Sequence, residues 1–230
     1  MSNIKKVFWD QGFLILENFF DSDLMDSYNN KIKKHYGSDP VWQHDAEFIS
    51  KSSAEVIPWF PYQDGTGGFD LVNEDENFNE ITKSILGKGW NNLYCMMMFS
   101  KAGSQGQSWH QDCLSDDPYK FNLNRLVYTH DITDETGGDI VLMPKSHKKG
   151  ILPAGNPIAD LDGQIEFKPE KGTVIFLHGH CFHKVKPVKS DRISTNFRAV
   201  PKNTPRDITD VCVYRNMKYR FSTSEIIEER

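Results

Sequence analysis

The chain has 230 residues, a formal net charge of −5, 26% charged and 12% aromatic residues. That length suits one domain with a sizeable core, and an acidic balance without a basic stripe argues against nucleic acid as a partner. The longest apolar run, Tyr94 to Phe99, is too short to span a bilayer, no signal-peptide pattern opens the chain, and Cys95, Cys113, Cys181 and Cys212 show no pairing pattern. A cytoplasmic protein with reduced thiols, no membrane attachment and no obligate protein partner is expected.

In chain order, Gly12 interrupts an apolar stretch and Phe13 to Leu16 reads as a short buried strand. Asp21-Ser22-Asp23 offers a helix cap and an acidic first turn. Leu24, Met25, Tyr28 and Ile32 then share a helical face, and Gly37 stops the helix. Residues 38–75 are irregular and aromatic, with Trp42, Trp59, Phe60, Tyr62 and Phe69, which fits a lid, a substrate wall or a satellite cluster over the core. Phe78, Ile81, Ile85 and Leu86 mark a second helix, ended by Gly87 and Gly89. Strands are expected at Asn92 to Phe99, through His110 and Asp112, at Leu126 to Ile132, Asp139 to Met143, Thr173 to Leu177, His183 to Pro187 and Arg192 to Val200. Ser115 to Asn124 reads as a polar loop. Short strands separated by turn signals indicate a mainly β fold with flanking helices, a β-sandwich or jelly-roll barrel.

The chemistry centres on Ser108-Trp109-His110-Gln111-Asp112. Alternate residues of a strand share a face, so an imidazole and a carboxylate stand side by side. They form two corners of a two-histidine, one-carboxylate triad of the kind used for non-haem Fe(II). His178, His180 and His183 compete for the third corner, with His183 a credible choice and His180 held in reserve. Arg192, Ser194, Asn196 and Arg198 share one face of the last strand, with Ile193, Thr195 and Phe197 on the other. A guanidinium in a barrel mouth needs a carboxylate partner, and a dicarboxylic co-substrate would supply one.

Several stretches resemble the phytanoyl-CoA dioxygenase-like family of Fe(II)- and 2-oxoglutarate-dependent oxygenases. They are Asp10 to Phe20 with the helix that follows, Trp109-His110-Gln111-Asp112, Glu135 to Lys148, and His183 to Pro187 with Arg192-Ile193-Ser194. The resemblance implies a double-stranded β-helix, cupin-like in shape. One domain would fill 1–230, with a helical buttress over about 1–90, the jelly-roll core over about 91–200 and a C-terminal extension over about 201–230. It implies His110, Asp112 and His183 as metal and catalytic residues, Arg192 as the anchor of the 2-oxoglutarate far carboxylate, and Ser194 as its helper. The implied cofactors are Fe(2+), 2-oxoglutarate and O2, with ascorbate as an optional reductant. The implied reaction is hydroxylation of an unactivated C–H bond of a small molecule, with release of succinate and CO2. Asp112 retains the carboxylate that related halogenases give up, which argues against halogenation.

Two other functions fit the same residues: a peptide or protein hydroxylase of the same chemistry, and a cupin-like metal-binding isomerase or binding protein without 2-oxoglutarate. His147, in the Pro-Lys-Ser-His turn, is expected to be structural and to bond backbone in a loop, His130 to line the pocket or sit satisfied in the core, and His35 and His44 to be exposed. Cys113 and Cys181 read as small core residues, Met96-Met97-Met98 as barrel filling, and Arg198 as a substrate contact or a surface ion pair.

Overall fold

A computed structural model describes residues 2–40, 56–62, 65–113, 117, 119–150 and 159–204. Expectations for Trp42, His44, Cys212 and the chain beyond residue 204 lie outside them. The first helix, α1 (Ser2–Gln11), buries Phe8 completely and ends where Gly12 takes φ 89°. Glycine is required there twice over: the backbone is left-handed, and a Cβ would lie 2.4 Å from His147 Nδ1. Strand β1 (Phe13–Leu16) follows, then α2 (Ser22–Tyr36), whose first turn is capped by Asp21 accepting from the amides of Asp23 and Leu24. Met25, Tyr28 and Ile32 face inward, each fully buried apolar side chain contributing roughly 2 kcal/mol.

The aromatic stretch splits between two tasks. Strand β2 (Ile57–Trp59) sends Ile57 and Trp59 toward the helices, while its flanks Val56 and Phe60 pack with Tyr94, Met96 and Met98 in a separate apolar cluster. His35, exposed as expected, stacks flat on Trp59 at 3.7 Å. Helices α3 (Asp70–Glu74) and α4 (Glu76–Leu86) complete the helical layer.

Eight further strands make the barrel: β3 (Asn91–Ser100), β4 (Gln107–His110), β5 (Leu123–Val127), β6 (Ile140–Leu142), β7 (Ile165–Phe167), β8 (Val174–His178), β9 (His183–Val185) and β10 (Arg192–Val200). The larger sheet runs β1-β8-β5-β10-β3-β2 and the smaller β4-β9-β6-β7. The named strand pairings are all antiparallel, the jelly-roll arrangement expected. The first ninety residues are therefore more than a helical buttress, since β1 and β2 form both edges of the larger sheet.

Two apolar layers hold this together. Phe176, Ile193, Phe197, Leu123 and Val127 meet Phe8, Met25, Ile32 and Phe78 on the helix side. Leu126, Tyr128, Ile175 and Leu177 meet Ile140 and Leu142 between the sheets. Because both faces of the larger sheet are covered, β5, β8 and β10 are buried along their whole length. One difference from the sequence reading follows: β5 starts at Leu123, inside the stretch expected to be loop, and stops at Val127. Asn122 and Asn124 look like loop residues, but both are fully buried because their amides find partners inside the barrel. His130 consequently lies beyond the strand rather than on it.

Candidate metal centre

Sheet register builds the site. In the pairing of β4 with β9, Gln107 faces Val185 and His110 faces His183, an irregularity that gives β4 one extra residue. Such a bulge re-aims the side chains beside it, and the two imidazoles end with ring centroids 4.1 Å apart. Each ring is fixed from behind by a backbone carbonyl: His110 Nδ1 bonds Ser108 O at 2.7 Å and His183 Nδ1 bonds Cys181 O at 2.9 Å. Both Nε2 atoms therefore face Asp112, the orientation a metal ligand needs. They lie 3.7 Å from Oδ1 and 3.6 Å from Oδ2 respectively.

The strand expected to carry both His110 and Asp112 ends at His110. Strand alternation is thus not what places the carboxylate. The chain bends, and the amides of Asp112 and Cys113 both donate to Gly179 O, at 2.8 and 3.0 Å. The outcome is nonetheless the expected cluster: one potential ligand atom from each of His110, Asp112 and His183, all within 4.8 Å of one another. Among the described residues it is the one His/Cys/Asp/Glu group of this kind. His180 does not join it. His178 stacks on Phe121 at 4.0 Å and accepts from the His180 amide, and it packs with His180, His147 and Trp9 behind the site. His147 bonds Trp9 O at 3.1 Å, a backbone contact made across the fold.

Asp112 is the most heavily supported of the three. Its Oδ2 accepts from Asn124 Nδ2 at 2.7 Å and pairs with Arg198 Nη2 at 3.0 Å. Asn196 Nδ2 in turn donates to Asn124 Oδ1 at 2.8 Å. Burial by itself would raise this carboxyl, but Arg198, His183, His110 and the Asn124 bond together hold it at about 2. Burial, with His110 beside it, takes His183 down to about 4 despite Asp112, so the ring is neutral at pH 7 and free to ligate. Arg198 is no surface ion pair: it is 4% exposed, and its guanidinium lies 5.3 Å over the Tyr94 ring. A register shift on β10 falls immediately after it. The roles of Asn124 and Arg198 escaped the sequence reading; alternation of Asn122 and Asn124 with Phe121 and Leu123 was the available signal.

Arg192 enters the same barrel from the far end of β10, opposite Ser100, and Ser194 follows it opposite Met98. Arg192 is 3% exposed, and its Nε has no partner. Its guanidinium donates to the Tyr128 hydroxyl, and among the described residues no carboxylate forms an ion pair with it. Its stem runs so close to Gly138 that a Cβ there would lie 2.4 Å from Cδ. His130, also beside Arg192, has neither ring nitrogen bonded; burial and that cation bring it down to about 4. A satisfied core histidine is therefore not what His130 is.

The family model described as phytanoyl-CoA dioxygenase (PhyH) matches residues 8–195. No curated protein matches the chain. Among solved structures, the non-heme alpha ketoglutarate dependent epimerase SnoN from nogalamycin biosynthesis is similar at TM-score 0.68 and 12% identity, over 87% of this chain and 80% of that one. HygX from Streptomyces hygroscopicus, with nickel and 2-oxoglutarate bound, gives TM-score 0.66 and 16% identity, over 88% of both chains. EctD from S. alaskensis, with 2-oxoglutarate and 5-hydroxyectoine, gives 0.67 and 15%, over 89% of this chain and 77% of that one. At such identities the likeness is one of fold.

Proposed function

Because the chain belongs to the phytanoyl-CoA dioxygenase family, we propose that it is an Fe(II)- and 2-oxoglutarate-dependent oxygenase that hydroxylates an unactivated C–H bond of a small molecule. The observation that carries this reading is the convergence of His110, Asp112 and His183 on one point. The donor set fits the metal: two imidazole nitrogens and one carboxylate make the facial triad of non-haem Fe(II), and all three are preset by bonds from behind.

Arg192 fits the co-substrate. A buried guanidinium without an ion pair is costly, and a dicarboxylate would supply the missing charge beside the Tyr128 hydroxyl, with Ser194 one inward position along β10. When bound, ferrous iron with 2-oxoglutarate and O2 supplies the oxidising power that breaks the C–H bond. The chain's own contribution is positioning and exclusion of water. His110 and His183 hold their ring planes through Ser108 and Cys181, and Asn124 fixes the Asp112 carboxylate. Phe60, Tyr94, Met96 and Met98 form an apolar wall on the inward side of β3 and β2. Burial of both histidines, at 8% and 5% exposure, favours a small molecule over a peptide. Free Cys95, Cys113 and Cys181 agree with a reducing cytoplasm. No helix among the described residues is long and apolar enough to cross a membrane.

The test is spectroscopic. Adding 2-oxoglutarate to the anaerobic Fe(II) protein is expected to produce a broad visible charge-transfer band, and admitting air to release succinate. Absence of both would remove the reading and favour a metal-binding protein without this co-substrate.

A further inference from the structure

The Arg198 side chain does something that a metal-binding carboxylate does not require. Asn124, held by Asn196, already fixes Asp112 Oδ2 at 2.7 Å. Arg198 adds a second donor at 3.0 Å to the same oxygen, leaving Oδ1 toward His110. It also brings a full positive charge into a site whose one described carboxylate is Asp112. The two charges of this largely buried pair cancel. A divalent cation arriving alone would add two positive charges beside Arg198 that this pair does not compensate. A dianion bound to that cation would offset the added charge. Charges a few ångströms apart in a poorly hydrated site interact strongly.

We propose that Arg198 is a charge-balancing residue: it weakens divalent metal binding on its own and strengthens binding of a dianionic co-substrate to the metal-loaded protein. This rests on the reading of the site given above. It also explains why the guanidinium sits on the face of Tyr94, 5.3 Å from the ring, where cation–π attraction holds it in place without a second carboxylate.

The experiment titrates metal-free protein with Co(II), followed by the cobalt absorption bands, and then titrates the Co(II)-loaded protein with 2-oxoglutarate. Wild type is compared with Arg198→Gln and Arg198→Lys. For Arg198→Gln the two affinities move in opposite directions: Co(II) binds about fivefold tighter or more, and 2-oxoglutarate about tenfold weaker or more. Arg198→Lys keeps the charge and stays close to wild type in both. If Arg198→Gln weakens both ligands, the residue merely positions Asp112 and the proposal fails; if neither affinity changes, it fails as well. Tyr94→Glu provides a second variant should Arg198→Gln not fold, because it offsets the guanidinium from the side that the Tyr94 ring covers and leaves Asn124 and Asp112 untouched. It gives the same opposed shifts, and a loss of both affinities there counts against the proposal. Wild-type Co(II) protein that binds no 2-oxoglutarate would sink the functional reading instead, and the Co(II) titrations would still decide the role of Arg198.

Discussion

The two ends of β10 carry an arginine each, on the same face of the strand, in opposite circumstances. At one end Arg198, Asn196 and Asn124 close a circuit of bonds on Asp112, and every bond in it is made within the protein. At the other end Arg192 has the Tyr128 hydroxyl and the charge of Asp139 near it but no ion pair among the described residues, and His130 beside it has two unbonded ring nitrogens. The first end is a finished device that holds a ligand in place before any metal arrives. The second is unfinished, and a site that buries polar groups without partners is one that expects something to be brought to it.

The sharpest way to break that contrast is at the finished end. Asp112→Ala or His183→Ala is expected to weaken Co(II) or Fe(II) binding by about a hundredfold or more and to abolish turnover. His180→Ala should leave metal affinity within about threefold, its cost appearing as lost packing against His178. A metal titration of the three variants checks this, and an equal loss in His180→Ala would reassign the third ligand. The unfinished end should respond in the opposite sense. Arg192→Met is expected to raise the 2-oxoglutarate requirement by roughly a hundredfold with metal affinity almost unchanged. It should also leave the metal-free fold as stable as before or more so, since a buried cation without an ion pair is removed. Arg198→Met, by contrast, should lose about 3 kcal/mol by leaving Asp112 without its charge partner. Thermal melts of the two metal-free variants make the comparison direct.

A separate effect is on pH. His183 and His130 each titrate near 4 in the folded protein, against 6.5 for an ordinary histidine. Their folded values are depressed, so the unfolded chain binds more protons between those limits and stability falls as the pH drops from about 6.5 toward 4, by up to about 3 kcal/mol for each ring. Denaturant melts of metal-free protein across that window should show the slope, and His130→Gln should remove about half of it.

Much of this was legible beforehand because its signals are local. The caps at Asp21 and Gly37 and the alternation from Arg192 to Val200 express short-range rules and stand where they were read, whereas His110 and Asp112 come together as expected although the strand ends at His110. What could not be read depends on which strands become neighbours. Strand β5 looks polar because Asn122 and Asn124 are polar, and their partners Asp112 and Asn196 are distant in the chain. Strand β7 is three residues at the rim, Ile165 exposed and Phe167 half-buried, and its polar–apolar alternation is too short to announce a strand. Arg198 looked like a surface charge for the same reason: nothing near it in sequence says that Asp112 will come to meet it.

One residue ties these regions together in a way that bears on how such a barrel can be altered. The carbonyl of Gly179 receives the amides of Asp112 and Cys113, its own amide donates to Asn122 O at 2.8 Å, and Asn122 Nδ2 donates back to Asp112 O at 2.8 Å. Both feet of the segment from residue 114 to 121 are thus buckled to a single point, in a space so tight that a Cβ on Gly179 would come within 2.9 Å of Cys113 Cβ. A change between the feet that spares Phe121, which stacks on His178, is expected to leave the carboxylate in place. A builder seeking a new substrate preference has there an interchangeable insert, mounted on a clasp that keeps the chemistry still.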